Sequence, residues 1–193
     1  MDTIDQFKSL VSSKGGVARA NVFRVRLPSL PGVASSRDIS LLCKDVQLPG
    51  RQILTNERRI GLQFEKVAYG YAIQDINMTF HVMNDYGIKR YFETWQDLAV
   101  NQTSLEVGYY NDYTFQIVID QLKKGVTLPT YSFGNFLDLF TPRTVTVAND
   151  QIIYSCQLAN AFPTTMNAIQ LNNDQDGIVE LNVQLSYKNW KQI

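Results

Sequence analysis

Apolar and polar residues alternate with a period of two along most of the chain after Arg19. Because successive side chains of a strand point to opposite faces, this alternation predicts antiparallel strands with one buried face. The alternation is almost perfect over 178–188, where the apolar positions are Val179, Leu181, Val183, Leu185 and Tyr187. The same pattern predicts strands over 23–27, 39–46, 57–63, 76–82, 113–121 and 151–159. Tyr113 and Ile152 are expected to face inward.

One segment repeats at helical spacing instead. After Asn84 and Asp85, which suit a helix N-cap, apolar residues recur every three or four positions. This spacing predicts one amphipathic helix over 86–99, whose core face is Ile88, Tyr91, Phe92, Trp95 and Leu98. A helix with three aromatic residues on one face needs an apolar surface to cover, and the open end or edge of a β-structure offers one.

The fold class predicted from these patterns is mainly β, with two packed antiparallel sheets (a β-sandwich or incomplete barrel) and one amphipathic helix. Residues 1–16 are predicted to form an N-terminal arm that ends at a Gly15-Gly16 hinge, and residues 17–193 a single β-domain. An irregular segment at about 125–150 carries several large apolar residues, so it either folds back on the domain or meets a partner.

Composition narrows the class of protein. The 193 residues contain 18 Lys and Arg against 18 Asp and Glu, and zero net charge argues against a permanent nucleic-acid binder. With 45% hydrophobic residues the chain can bury a core, so intrinsic disorder is excluded. Apolar runs are short and the N-terminus lacks a secretory signal, so we expect cytoplasmic synthesis without membrane anchoring. Cys43 and Cys156 are expected to be reduced core residues.

The zero net charge conceals two oppositely charged parts of the chain. Residues 1–66 hold 11 basic and 6 acidic residues, a balance of +5, whereas residues 67–193 hold 7 basic and 12 acidic residues, a balance of −5. If the fold keeps these parts on different surfaces, identical copies could meet head to tail with complementary potential. If one sheet mixes them, the asymmetry has no such use.

The sequence offers little catalytic chemistry. His81, the only histidine, sits on a predicted polar strand face without an acid or serine motif that would make it a general base. Phosphate-binding loops, nucleophile elbows and metal-ligand spacings are missing from the sequence, which predicts a protein that is not an enzyme and uses no metal or cofactor. What remains is a set of uncharged polar strand positions that face either solvent or a lumen: Asn77, Thr79, Thr114, Gln116, Asn182, Gln184 and Ser186.

Five segments resemble, in this order and spacing, the tail tube protein of contractile-tailed bacteriophages: ARANVFRVRLPSLPG (18–32), LLCKDVQLPGRQI (41–53), MTFHVMNDYGIKRYFETWQDLA (78–99), NAFPTTMNAIQLNND (160–174) and VELNVQLSYKNW (179–190). The resemblance implies the phage tail tube fold, shared with the type VI secretion tube protein. It also implies rings of six copies, whose inward strands join into one β-barrel. The rings stack into a tube inside a contractile sheath, and the tube conducts DNA.

The resemblance further implies partners and contacts. The expected partners are other copies, the sheath protein, baseplate tube-initiator proteins and the tape measure protein, while DNA passes through the virion tube without specific binding. The segment Leu48 to Tyr69 corresponds to a loop and hairpin that reaches a neighbouring subunit, so Arg51, Arg58 and Arg59 are candidate contacts between subunits or rings. The helix 86–99 is expected on the outer side, next to the sheath, and 125–150 is an insertion relative to shorter family members.

Two other functions stay open at this stage. One is a tube-initiating baseplate protein, or the tube subunit of a secretion or injection system. The other is a β-sandwich module that binds a sugar or small ligand, which predicts a concave pocket with exposed aromatic residues and a stable monomer.

Overall fold

The computed structural model of the chain describes residues 3–123, 151–172 and 177–193, together with the backbone of two short strands at 128–129 and 144–145. The predicted irregular segment at 125–150 otherwise lies outside the described residues. The helices are α1 (Thr3–Ser13), α2 (Ser36–Leu41), α3 (Gly87–Ala99) and α4 (Tyr110–Tyr113). The strands are β1 (Phe23–Arg26), β2 (Cys43–Val46), β3 (Gln52–Ile60), β4 (Gln63–Ala72), β5 (Ile76–His81), β6 (Phe115–Lys123), β7 (Leu128–Pro129), β8 (Thr144–Val145), β9 (Gln151–Met166), β10 (Glu180–Ser186) and β11 (Asn189–Gln192).

The fold is mainly β and antiparallel, which confirms the predicted fold class. Strands pair in the order β1-β6-β9-β10-β5-β2, and β11 pairs with β9 beside this path. The ladders of β2, β5, β10 and β9 are antiparallel, and so are the separate pairs β3–β4 and β7–β8. Within the described residues the strand path ends at β1 and β2 without closing into a barrel.

The chain divides into two compact units. The first comprises Met1–Phe23 and Asp120–Tyr154, and the second comprises Arg24–Ile119 and Ser155–Ile193. The first unit contains α1, whose described side chains are all exposed or half-buried. The second unit contains helices α2 to α4, the β3–β4 pair and most of the long strand path.

The core of the second unit follows the alternation of its strands. On β5 and β10 the apolar side chains are buried and the polar ones between them are not. Helix α3 covers this core with Ile88, Tyr91, Phe92 and Trp95, which are all buried, while Leu98 is half-buried. The rings of Phe92 and Phe80 lie 5.2 Å apart between centroids, so the helix packs directly on β5.

Strand β9 changes its inward face at Asn160. Before this residue Cys156 and Leu158 are buried, whereas after it Ala161 and Pro163 are buried. Asn160 has a φ of 54°, in the left-handed region where Asn is tolerated better than most residues. The pairing changes at the same place, because β9 pairs with β11 over 156–159 and with β10 over 162–166.

Several local predictions are wrong. The stretch predicted as a strand over 39–46 begins as α2, in which Ile39 is buried, and becomes extended only at Cys43. Helix α2 forms because backbone amides of the segment reach back to Ser35, whose carbonyl accepts a hydrogen bond from the Ile39 amide at 3.1 Å. The predicted strand 57–63 spans the turn between β3 and β4.

Other predictions fail at the ends of strands. Tyr113 ends the short helix α4 rather than starting a strand, and it is half-buried. Ile152, expected to face inward, is exposed at the start of β9. The described residues also form two short helices that were not predicted, since α2 and α4 have six and four residues and are too short for a clear 3.6-residue pattern.

Candidate functional site

The pair β3–β4 is a hairpin that pairs with no other described strand. Its ladder runs from Gln52 opposite Ala72 to Ile60 opposite Gln63, with the turn at Gly61 and Leu62. Gly61 has a φ of 64°, the left-handed conformation that a tight hairpin turn requires. Both outer edges of this hairpin are therefore open for pairing with further backbone.

The hairpin is exposed along both of its strands. Leu54 and Ala72 are half-buried, and every other residue of β3 and β4 is exposed. The exposed set includes large apolar side chains, with Leu62 at the tip 92% exposed: Ile53, Ile60, Leu62, Phe64, Val67, Tyr69 and Tyr71. A two-stranded hairpin is marginally stable in water by itself, and exposed apolar residues of this kind mark an interaction surface.

Opposite charges face each other across the middle of the hairpin. Glu57 lies opposite Lys66, and Arg58 lies opposite Glu65. Because adjacent positions of a strand point to opposite faces, each face of the hairpin carries one such cross-strand pair. Each face thus combines complementary charge with apolar side chains, a composition that suits a protein interface better than a core.

The base of the hairpin is fixed by stacking on Arg51. The guanidinium carbon of Arg51 lies 5.3 Å from the ring centroid of Tyr71 and 5.4 Å from that of Trp190. The indole nitrogen of Trp190 donates a hydrogen bond to the carbonyl of Gly50 at 3.3 Å. These contacts anchor the start and the end of the hairpin to the C-terminal strand β11 while the tip extends away from them.

The three predicted contact arginines have different surroundings. Arg58 and Arg59 both lie on β3 and are exposed, while Arg51 precedes the strand. Arg59 donates a hydrogen bond from Nε to the carbonyl of Gly61 at 2.9 Å, so it supports the turn. The planar group of Arg51 stacks within its own chain, which leaves Arg58 as the arginine best placed for a partner.

Several of the predicted polar positions come together on one face of β5 and β10. The register places Gln184 opposite Asn77 and Asn182 opposite Thr79. Asn77 is exposed, and the other three side chains are half-buried. Gln184 donates a hydrogen bond to the carboxylate of Asp75 at 3.2 Å. The opposite face of these strands is the core, so this face points away from the core and carries no charge at these four positions.

The remaining predicted polar positions extend or leave this face. Gln116 on β6 is exposed and accepts a hydrogen bond from the amide of Gln157 on β9. Ser186 is half-buried opposite Phe162. The prediction of an outward Thr114 is wrong, because this residue precedes β6 and is buried.

Two hydrogen bonds explain the burial of Thr114. Its hydroxyl donates to the carbonyl of Tyr110 at 2.7 Å and accepts from the side-chain amide of Asn160 at 3.3 Å. The hydroxyl therefore has a partner both as donor and as acceptor, and a buried hydroxyl without partners would be unfavourable.

Charged groups gather at one end of the polar face. The ammonium of Lys44 lies 2.5 Å from Oε1 of Glu180, and Nδ1 of His81 lies 4.0 Å from the same oxygen. The hydrogen bond from Lys44 holds the pKa of Glu180 below its ordinary value. These three side chains are between about one third and one half exposed, so the cluster is a surface ion pair with a neighbouring imidazole and lacks the enclosure of a catalytic site.

The described residues offer neither a cluster of metal ligands nor a helix that could span a membrane. In the part of the chain that the structure describes, no three side chains among His, Cys, Asp and Glu are grouped so that they could hold a metal ion. None of the described helices has the length and apolarity that a membrane span requires.

Comparison with known proteins gives one family and a set of similar folds. A family model described as phage tail tube protein matches residues 17–193. A search of curated proteins found no match. Among solved structures, the sheath/tube terminator of an extracellular contractile injection system (PVC, extended state) has a TM-score of 0.58 at 13% identity, over 92% of this chain and 96% of that chain.

Two further structures are similar over the same share of the chain. The tube terminating cap of the anti-feeding prophage has a TM-score of 0.57 at 12% identity, over 92% of this chain and 91% of that chain. A chain of the PVC sheath-tube complex in the extended state has a TM-score of 0.54 at 14% identity, over 92% of this chain and 91% of that chain. At these identities the likeness concerns the fold.

Proposed function

The chain belongs to the phage tail tube protein family, the family that its sequence segments resemble, and from this premise we propose that it is the subunit of an inner tail tube. Six copies form a ring, and rings stack into a tube that lies inside a contractile sheath. The tube holds the tape measure protein during assembly in the host cytoplasm and later conducts DNA from the virion. The protein acts as a structural component without catalysis or cofactor.

The exposed hairpin Gln52–Ala72 carries this proposal. A monomer with seven large apolar side chains exposed on one hairpin and its turn, and with both hairpin edges open, gains free energy when a second copy covers them. Complementary charges on both faces restrict which surface can do so. The hairpin is therefore the element that reaches a neighbouring copy, with Arg58 in contact.

The uncharged polar face of β5 and β10 supports a role in lining the lumen. Asn77, Thr79, Asn182 and Gln184 offer hydrogen bonds but no fixed charge. Cationic side chains at these positions would bind the phosphate backbone, and carboxylates would repel it. A neutral polar wall lets DNA pass without holding it.

The position of helix α3 supports a subunit orientation in which this helix lies on the outer side of the tube. Its apolar face is buried on the core, and its other face carries charged residues such as the ion-paired Lys89 and Glu93. A charged face opposite the core suits contact with the sheath protein on the outside of the tube. The ring at the baseplate end meets a tube-initiator protein.

Electron microscopy of the purified protein tests the proposal. In negative stain, alone and with the baseplate, we expect rings or stacked rings with a central channel. A Leu62→Asp variant, changed at the hairpin tip, should lose stacking. Leu41→Asp is the matched control, because Leu41 is 76% exposed and lies in α2, outside the hairpin. Monomers at high concentration, with and without the baseplate, would reject the tube function.

A second candidate is a ring at the end of a tube, or the tube subunit of an injection system. Two similar folds bear on it, since one is described as a sheath/tube terminator and the other as a tube terminating cap. The two roles predict different assemblies as the protein concentration rises. A tube body subunit forms stacks of increasing length as its concentration rises, whereas an end ring forms single rings that bind only to preformed tubes.

A further inference from the structure

A basic cavity opens in the first unit, next to the C-terminus of α1. Its volume is about 490 Å³, and it is lined by Lys14, Arg19 and Lys123 together with apolar side chains such as Leu122 and Ile153. No carboxylate belongs to the described residues that line it. None of the three cations forms an ion pair with another described residue. The cavity thus offers positive charge beside a few apolar side chains, which suits a segment that carries one carboxylate between apolar residues.

Glycine at position 15 leaves room for one of these cations. Gly15 has a φ of 75° and follows Lys14, and the Gly16 amide closes the helix by donating to the carbonyl of Val11 at 2.9 Å. A Cβ atom at Gly15 would lie 3.0 Å from Nζ of Lys123. The turn therefore lets the ammonium of Lys123 approach the backbone directly after Lys14, and its positive charge favours an anion beside it.

An exposed loop in the second unit has the complementary chemistry. Between α3 and α4, Leu105, Val107 and Tyr109 are 78%, 75% and 84% exposed, and Glu106 lies between the first two. Exposed apolar side chains that flank a carboxylate match the lining of the basic cavity. Both surfaces are open to solvent in the single chain.

The loop is held in shape by its own hydrogen bonds. The side-chain oxygen of Asn101 accepts from the amides of Thr103 and Ser104, at 2.9 and 3.0 Å. The amide of Gly108 donates to the carbonyl of Ala99 at 2.9 Å. A loop that is ordered before binding loses less conformational entropy when it docks.

Leu105 has a strained backbone. Its φ is 58°, in the left-handed region that Gly or Asn adopts more easily than Leu. This conformation belongs to the turn of the loop, in which the Leu105 amide donates to the carbonyl of Asn101 at 2.9 Å and the Asn101 amide donates to the carbonyl of Glu106 at 3.0 Å. The same turn keeps the exposed side chain of Leu105 next to Glu106.

We infer that the 101–109 loop of one copy docks into the basic cavity of a second copy. The carboxylate of Glu106 lies among Lys14, Arg19 and Lys123, and Leu105 and Val107 contact the apolar side chains of the lining. The contact joins two different surfaces, so it is head to tail and closes into a ring when the rotation between copies allows. This inference rests on the proposed function, since it presumes that copies assemble.

Charge exchange tests the contact. Glu106→Lys and Arg19→Glu are each expected to raise the concentration needed for assembly about tenfold in sedimentation velocity, because each places like charges together. The double variant should recover most of the loss. Asp97→Lys and Lys8→Glu are matched controls, since both residues are exposed and lie outside the loop and the cavity.

Substitution of Leu105 separates contact from folding. Leu105→Gly relieves the left-handed backbone, so its Tm should stay within about 2 °C of the parent protein. The same change removes the docking side chain, and assembly should weaken about tenfold. Leu41→Ser is the matched control, because Leu41 is an equally exposed leucine that lies outside the loop and the cavity.

The possible outcomes are distinct. Rescue by the double variant, with unchanged controls, supports the contact. Assembly of all loop and cavity variants at the parent concentration would overturn the contact and leave the tube function intact, whereas a parent protein that stays monomeric would overturn both. If Glu106→Lys assembles normally and Arg19→Glu loses retention of a short DNA duplex, the cavity binds phosphate and the proposed contact is wrong.

Discussion

The guanidinium of Arg51 stacks on the indole ring of Trp190, with 5.4 Å between the guanidinium carbon and the ring centroid. Tyr71 lies near the same guanidinium at 5.3 Å, so one planar cation joins the segment before β3 to the end of β4 and to β11. The hairpin is therefore anchored at its base, and its apolar residues project from a fixed position.

Removal of this stack should loosen the hairpin. Arg51→Ala is expected to cost about 0.5–1 kcal/mol and to speed amide exchange in β3 and β4. Arg51→Lys should restore little, because an ammonium lacks the planar face that stacks between two rings. Hydrogen exchange by mass spectrometry measures the effect, with Arg37→Ala as the control. Equal exchange in all variants would show that the stack contributes nothing to the order of the hairpin.

Arg58 should contribute to assembly through charge. Arg58→Glu places a carboxylate opposite Glu65 and reverses the charge offered to a partner, so assembly should weaken about tenfold. Assembly of the parent protein should also weaken between about 0.1 and 0.5 M salt, because exposed charges are screened. Light scattering across a salt series checks both, with Arg37→Glu as the control. Assembly that ignores salt would make the +5 and −5 division of the chain incidental.

Tyr91 should stabilise the packing of α3. Its hydroxyl donates a hydrogen bond to the carbonyl of Pro28 at 2.6 Å, and Tyr91→Phe leaves that oxygen without the donor. We expect a loss of about 1 kcal/mol in the free energy of unfolding by urea. Tyr109→Phe is the matched control, because Tyr109 is exposed and should give no change.

Tyr91 should also make the stability of the protein depend on pH in the alkaline range. Burial raises the pKa of Tyr91 above its ordinary value near 10, so the unfolded chain releases this proton at lower pH than the folded chain. The contribution of neutral Tyr91 to the free energy of unfolding is therefore complete below about pH 10 and falls as the pH rises further. In Tyr91→Phe the fall between pH 9.5 and 11.5 should be shallower. An identical slope in both proteins would contradict this linkage.

Cys43 should react slowly in the folded protein. Burial, followed by the charge of the Asp45 carboxylate, raises the pKa of the Cys43 thiol to about 12. Because the thiolate is the nucleophile and its greater nucleophilicity at high pKa offsets only part of the loss, alkylation by iodoacetamide at pH 8 should be at least about tenfold slower than in urea. Asp45→Asn should raise the folded rate and Asp38→Asn should not, as measured by site-resolved mass spectrometry. A folded rate equal to the unfolded rate would contradict the raised pKa.

Gly108 should be essential to the loop after α3. A Cβ atom at this position would lie 2.2 Å from the carbonyl oxygen of Leu98, closer than any real contact allows. Gly108→Ala should cost about 2 kcal/mol and lower Tm by roughly 4–8 °C. Gly50→Ala is the control, since nothing lies within 4 Å of its added Cβ. A Tm equal to that of the parent would mean that the loop adjusts without cost.

The sequence predicts those elements whose burial lies within one chain. Strands β5 and β10 each have one face on the core, so their alternation is clear, and α3 has a continuous apolar stripe. Helix α2 lacks such a signal, because it has six residues and one of them, Ile39, is buried. The alternation predicts an outward Thr114, because its hydrogen-bond partner Asn160 is 46 positions away along the chain and a local pattern does not reveal it.

The candidate site depends on relationships that a linear pattern does not contain. Both faces of the β3–β4 hairpin are exposed, so the alternation predicts only a strand over 57–63 and misses the turn, and the resemblance of segment 48–69 to a family hairpin is the signal that indicates the pair. The stack of Arg51 on Trp190 joins distant parts of the chain. The basic cavity likewise combines Lys14 and Arg19 with Lys123 from β6. Spatial clusters of this kind appear only once the backbone is placed.

The change of face at Asn160 constrains how β9 can vary in length. Cys156 and Leu158 are buried before it, and Ala161 and Pro163 are buried after it. Loss of one residue within the strand would turn every following side chain to the opposite side, exposing Ala161 or Pro163 and burying Thr164. Loss of two residues would leave the following side chains on the same faces of the strand as before. Viable length variants of this strand should therefore differ from it by even numbers of residues, a rule that a library of deletions would show as alternating survival.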